Sequence, residues 1–209
     1  ADDVTAAAAV QALARQPREA AEEPLRELRR DKDLHLAAEA LEAHYRLAKD
    51  DPAITAELAE IALKSRKWQL RVAAMEILLQ RDAAAMRPAL ERNVAHEKAP
   101  VRSVAYEAFT WLRDRESVDF IIARLEHEEG RTLFEASEAL TDLTDFHWGT
   151  NHERWKSWWG KVREGYPLPP KKAKAKKKKN SGAAAPRYAS RFYGLDIDSK
   201  RVAFESISR

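Results

Sequence analysis

Across residues 1–165 the apolar positions recur every third or fourth place, not every second one. Leu34, Ala37, Ala38, Leu41 and Tyr45 fall on one side of a helix, and so do Leu70, Ala73, Ala74, Ile77 and Leu78. Ala, Leu, Glu, Arg and Lys fill this region, and all are strong helix formers. Punctuation falls on proline. Asp51-Pro52 offers an N-cap carboxylate followed by a residue whose missing N–H costs nothing at the first helical position. Pro17, Pro88 and Pro100 mark further starts. The stretches Val94 to Pro100 and Glu126 to Gly130 read as breaks, and Pro88 to Val94 and Val118 to Leu125 as short helices between them. The pattern predicts an all-α fold.

One short motif repeats. Ala37-Ala38-Glu39-Ala40-Leu41, Ala74-Met75-Glu76-Ile77-Leu78, Ala105-Tyr106-Glu107-Ala108-Phe109 and Ala136-Ser137-Glu138-Ala139-Leu140 share A-x-E-[AI]-[LF], and the last three copies are evenly spaced. A period in the thirties built of helix pairs is the pattern of an α-solenoid, because a lone pair cannot bury its own apolar face and must stack on a neighbour. The opening Ala permits close helix approach, and the closing Leu or Phe fills the space between layers. An irregular helical bundle is the competing reading of the same pattern.

The segments Leu70-Arg71-Val72-Ala73-Ala74 and Pro100-Val101-Arg102-Ser103-Val104-Ala105 resemble the second helix of HEAT-type repeats, over roughly residues 34 to 145. The run Asp142-Leu143-Thr144-Asp145-Phe146 followed by Trp155, Trp158 and Trp159 resembles the end of bacterial HEAT-repeat proteins, although it lacks the first Gly of that turn. The resemblance implies a HEAT-like α-solenoid of stacked helix pairs, closed by a tryptophan helix, and implies no chemistry.

Charge changes the picture of the chain's organisation. The 209 residues hold 37 Lys+Arg and 34 Asp+Glu, for a net +3. Residues 166–209 hold 12 basic and 3 acidic side chains, and residues 1–165 hold 25 and 31. An acidic body thus joins a basic tail. The tail opens on Pro167, Pro169 and Pro170 and continues through Lys171, Lys172, Lys174, Lys176, Lys177, Lys178 and Lys179 to Asn180-Ser181-Gly182. That composition reads as an extended, self-repelling linker. Three regions are expected: a HEAT-like helical domain over 1–165, a Pro/Lys-rich linker over 166–190, and a C-terminal stub over 191–209. The linker and stub are expected to be disordered.

The stub has its own character. Arg191-Phe192-Tyr193-Gly194 and Ser199-Lys200-Arg201-Val202-Ala203-Phe204 resemble the lead-in to a von Willebrand factor A domain, whose first strand continues into D-x-S-x-S. Here Glu205-Ser206-Ile207-Ser208-Arg209 follows instead, so no metal-site residue carries over. The resemblance implies a bacterial HEAT-repeat chain whose A domain is absent or truncated. At the other end, Ala1-Asp2-Asp3 suits the product of signal-peptide cleavage as well as a fragment start. Export to the periplasm is one expectation and the cytoplasm the other.

Several chemistries are excluded. With no Cys there is no disulfide, thiolate-bound zinc, iron–sulfur cluster or thiol nucleophile. The first Gly is Gly130, so the preceding residues hold no glycine-rich phosphate loop. No apolar run approaches the ~18 residues of a membrane span. His147 and His152 with Asp145 and Glu153 form the one local cluster with ligand chemistry, and a metal-dependent hydrolase there is the weakest of three readings. Glu22, Glu23, Glu126, Glu128 and Glu129 read as solvated helix faces. No catalytic, cofactor-binding or metal residue is assigned, and no cofactor is expected.

Trp155, Trp158 and Trp159 lie at i, i+3 and i+4 and share a helical face, behind a capping box at Thr150 and Glu153. They are assigned as a structural cap that closes the open end of the helical stack, with an aromatic ligand platform as the alternative. The leading functional expectation is a non-enzymatic protein–protein interaction scaffold, with a binding surface formed by the helices around Ala74, Ala105 and Ala136. The alternative is nonspecific binding of nucleic acid or an anionic membrane surface by Lys171, Lys172, Lys174 and Lys176 to Lys179 through counterion release.

Overall fold

The computed structural model describes residues 3–48, 51–80 and 84–170, and every regular element in them is helical. The described residues contain no strand. No described helix is long and apolar enough to cross a membrane. The residues fall into two compact units that divide at residue 50.

The first unit holds three helices, α1 (Asp3–Leu13), α2 (Arg18–Leu28) and α3 (Leu34–Leu47), each packed on the other two. Pro17 is the N-cap of α2. Asp33 caps α3 by accepting from the backbone N–H groups of His35 (2.9 Å) and Leu36 (3.4 Å). Val10, Ala21, Leu25, Ala40 and Ala43 form the core, with Leu13, Leu28, Leu36 and Leu47 at its margin.

The second unit holds α4 (Pro52–Lys64), α5 (Trp68–Leu79), α6 (Arg87–Asn93), α7 (Ala99–Leu112), α8 (Arg115–Leu125), α9 (Gly130–Thr144) and α10 (His152–Val162), with a 3-10 turn at Ala84–Met86 before α6. Asp51 caps α4 through the Ala53 N–H, and Pro52 opens it, as the Asp-Pro signal predicts. Pro88 and Pro100 also lie in the opening turns of α6 and α7. Consecutive helices pack as α4 on α5, α6 on α7 and α8 on α9. Alternate helices also meet: α5 with α7, α7 with α9, α4 with α6, and α8 with α10.

All four motif copies lie on odd-numbered helices, α3, α5, α7 and α9. Ala37, Ala74, Ala105 and Ala136 are fully buried, as are the motif-closing side chains Leu41, Leu78, Phe109 and Leu140 to within a few per cent. α7 and α9 both end on a residue in the left-handed region, Arg113 (φ 51°) and Asp145 (φ 61°), a conformation that costs a side-chain-bearing residue and here stops each helix. The Lys run and the 191–209 stub lie outside the described residues.

Two local expectations are corrected. The N-cap of α10 is Asn151, not Thr150; its Oδ1 accepts from the Arg154 N–H at 2.9 Å. Gly149, at φ 55°, turns the chain so that the helix begins one residue later than a Thr150 cap requires. Tyr166 and Pro169, in the stretch read from composition as the start of a linker, are bonded to the helices, as described below.

Because the motif positions carry the packing, Leu140→Ala is expected to lower unfolding free energy by about 3–5 kcal/mol. Glu138→Ala, on the exposed side of the same helix, should change it by no more than about 0.5 kcal/mol. Urea denaturation of both variants at a common m value checks the contrast.

Candidate interaction surface

Many of the conspicuous side chains of the second unit are engaged within the fold. Arg71 and Arg102 occupy the same place in two motif copies, each three positions before the opening Ala. Each reaches back six residues to a loop carbonyl: Arg71 Nε–H donates to Ser65 O and Arg102 NH1 to His96 O (2.8 Å). Each also reaches forward to a buried polar group. Arg71 NH1 donates to Asn93 Oδ1 (2.7 Å), and Asn93 Nδ2 donates in turn to Ala62 O (2.8 Å). Arg102 forms a two-pronged pair with Glu128, Nε to Oε1 at 2.7 Å and NH2 to Oε2 at 2.9 Å. Tyr106 Oη–H donates to the same Glu128 Oε1 at 2.6 Å.

Glu128 is thus not part of a solvated face. Its side chain is fully buried, because the Arg102 guanidinium and the Tyr106 hydroxyl supply inside the protein what water supplies outside. Burial pushes its carboxyl up, but the hydrogen bonds from Arg102, Thr132 and Tyr106 together outweigh that and hold it below the ordinary Glu range. The Tyr106 hydroxyl is pushed well up, first by burial and then by its bond to the carboxylate.

The tryptophan segment is also turned inward. Trp155 is fully buried and Trp159 nearly so, while Trp158 is half-buried. Trp158 sits among rings on several sides, with centroids of Phe146 at 4.5 Å, Trp148 at 4.9 Å and Tyr166 at 5.0 Å. Trp155 Nε1–H donates to Gly149 O (2.8 Å), and Trp159 Nε1–H to Asp119 Oδ1 on α8 (2.6 Å). Arg163 grips the same Asp119 carboxylate, and Tyr166 Oη–H donates to Thr144 O (2.6 Å). At the far end Arg113 donates to Pro169 O through Nε (3.0 Å) and NH2 (2.6 Å), and through NH1 to Asp142 Oδ2 (2.9 Å). The C-terminal described segment is therefore strapped across α7, α8 and α9.

Of the candidate ligands, His147 is exposed in the loop before α10. His152 faces Glu126, the C-cap residue of α8, and its neighbour Glu153, each at 3.6 Å from Nδ1. Among the described residues no group of three or more His, Asp or Glu side chains could hold a metal ion.

The outer face of α7 and α9 carries the exposed aromatic side chains. Ala105 and Ala136 themselves are buried, but the residues on the opposite side of each helix are not. Glu107, Thr110 and Trp111 follow Ala105 at helical spacing, and Arg131, Phe134, Glu138, Thr141 and Asp142 flank Ala136 in the same phase. Trp111 is 40% exposed and Phe134 63%, and they are the exposed large hydrophobic side chains of the described residues. Neither stands out in the sequence, since each sits beside an apolar residue that is directed elsewhere, Leu112 next to Trp111 and Leu133 next to Phe134. Knowing which phase of the motif is buried, and taking the opposite one, is the signal that finds them.

The chain matches no protein-family model, no curated protein and no solved structure.

Glu128→Gln is expected to cost about 3–5 kcal/mol at neutral pH, since it leaves the Arg102 guanidinium without its anion. The folded carboxyl titrates below its unfolded value of about 4.3. Its contribution is therefore complete above that pH and lost as pH falls through the lower, folded value. Urea midpoints at pH 7 and pH 3 check both parts, and the gap between the variant and the parent should narrow at pH 3.

Proposed function

We propose that the protein is a non-enzymatic α-solenoid of HEAT type that binds other proteins on the outer faces of α7 and α9. The observation that carries the binding role is the exposure of two large hydrophobic side chains, Trp111 on α7 and Phe134 on α9, two helices that pack together. Exposed aromatic side chains beside charged ones are the usual composition of an interaction site. The stacked-repeat reading draws support from three features of the second unit. Its helices meet in consecutive pairs and again in alternate rows. Its three evenly spaced motif copies keep the same positions buried. Arg71 and Arg102 make the same backward bond to a loop carbonyl. In a stack of this kind each helix pair covers its neighbour, and the face not used for stacking is available to a partner. The tryptophan helix then serves as the cap of the last layer.

The test uses the full chain. A protein retained by the immobilised chain should be lost with Phe134→Glu and kept with Lys161→Glu, a charge change on the exposed side of α10. Thermal stability should move by no more than about 0.5 kcal/mol in either variant. Equal retention by Phe134→Glu, or no retention by the parent chain, overturns the reading.

A further inference from the structure

We infer that the edge of the second unit where the loop before α5 meets the end of α6 is a docking site for a carboxylate-rich segment of a partner protein, held by Arg66, Lys67, Arg71 and Arg92. The inference does not rest on the aromatic face of α7 and α9.

The chain concentrates positive charge there. From Lys64 to Arg71 four of the eight residues are cations and none is an acid, within a body whose net charge is negative. The fold brings another cation to the same place. Arg71 donates to Ser65 O and to Asn93 Oδ1, so the loop before α5 and the last turn of α6 both lie within reach of one guanidinium. Arg66 and Lys67 follow Ser65, Arg92 precedes Asn93, and all three side chains are exposed. None of the three is ion-paired among the described residues, whereas the neighbouring Lys64 and Lys98 are paired with Glu60 (2.8 Å) and Glu97 (3.6 Å). Glu91 adjoins Arg92 in sequence, but one step along α6 turns its side chain about 100° away.

Arg71 separates this edge from its counterpart in the next motif copy. There Arg102 meets the buried Glu128 carboxylate, and the two charges cancel. Arg71 is only 7% exposed, yet its partners are a carbonyl and an amide, so its charge has no counterion within the described fold. Nε and NH1 are spent on those bonds, and NH2 is left to donate outward. Burial, and then the Arg92 charge, lowers the Arg71 guanidinium from its ordinary value. Burial, and then Arg71, holds the nearby His96 imidazole below the ordinary His range, as a positive field requires. The helix starts add to that field. The N-caps of α5 and α7 are Lys67 and Lys98, and neither end has a side-chain cap. Such ends favour an anionic or hydroxyl-bearing neighbour, and a lysine supplies neither. A carboxylate from outside satisfies Arg71 NH2 and the α5 start together. Glu60, Glu91 and Glu97 border the patch, so it is too short to follow a nucleic-acid backbone and suits a few carboxylates of an acidic peptide.

The test titrates a short polyglutamate peptide into the isotope-labelled full-length chain. The peptide should shift the backbone amide signals of Arg66, Lys67, Trp68 and His96, and the shifts should fade as salt is raised. The lysine run at 171–179 can also attract the peptide, and residue-resolved signals keep the two apart. Arg66→Glu with Arg92→Glu should weaken binding, read at the Trp68 and His96 signals, by about ten-fold or more, with the urea midpoint unchanged. Lys156→Glu with Lys161→Glu makes the same change of charge on the exposed side of α10 and should leave that affinity within about two-fold. Shifts confined to the lysine run, shifts that ignore salt, or equal weakening by the α10 variant overturn the inference. So does a single-stranded oligonucleotide of the same charge that shifts these amides as strongly, since the site then makes no choice of an acidic peptide. The readout does not involve Phe134, so it stands or fails separately from the retention test with Phe134→Glu.

Discussion

The second unit depends on how closely its odd-numbered helices approach one another. α7 packs on α5 on one side and on α9 on the other, and it must present a small side chain where its neighbours come near. Ala74, Ala105 and Ala136 are small side chains on these helices, and each is fully buried. A larger side chain there would force its neighbours off their rotamers at about 1–3 kcal/mol. One turn on, Leu78, Phe109 and Leu140 do the opposite and fill volume. The alternation of small and large at a fixed separation holds each helix in one register against the next. It also decides the outward phase. With positions 105 and 136 inward, positions 111, 134 and 138 are left outside and Glu107 is half-buried.

Close packing of helices raises a second problem, the loop carbonyls and polar groups trapped between layers. The two arginine brackets solve it with the same first bond and different second ones. Arg71 meets the neutral Asn93, whose amide hands a hydrogen bond on to Ala62 O, so one charge is spread over a chain of dipoles. Arg102 meets a carboxylate, which demands more compensation, and Tyr106 provides it. Arg124, 3.6 Å from Glu128, adds a further positive charge. A buried pair of this kind is worth little over a well-packed apolar one, but each half is costly without the other. Its value here is in position: the bracket ties the loop before α7 to the turn after α8, across the layer.

These features divide cleanly by the distance over which they act. Helix starts at Asp51-Pro52, the breaks around positions 95 and 127, and the buried stripe of A-x-E-[AI]-[LF] are local, and they are legible in the sequence. Glu128 is not, because it resembles Glu126 and Glu129 until Arg102, 26 residues earlier, is known to reach it. Tyr166 to Pro170 read as linker for a similar reason: proline and a charged run dominate the composition, while the holding partner, Arg113, lies 56 residues before Pro169. The α10 cap turns on a closer contest. Thr150 and Asn151 are both good caps, and the positive φ of Gly149 settles which one has its side chain over the first turn.

The aromatic residues carry the last step. The dense cluster from Phe146 to Tyr166 looks, as a string, like the place to seek a ligand. In the fold its polar handles are already used: the Trp155 indole on Gly149, the Trp159 indole on Asp119, and the Tyr166 hydroxyl on Thr144. Its rings pack mainly on one another, at centroid distances of 4.5 to 6.2 Å. Such a cluster contributes stability and has little left to offer a partner. Phe134 makes the opposite case. A phenylalanine 63% exposed on a helix whose other face is tightly packed contributes little to that packing, and Phe134→Glu should be nearly silent for folding. A large apolar side chain in that position serves the core little, which sets Phe134 apart from the inward-packed rings of the tryptophan segment.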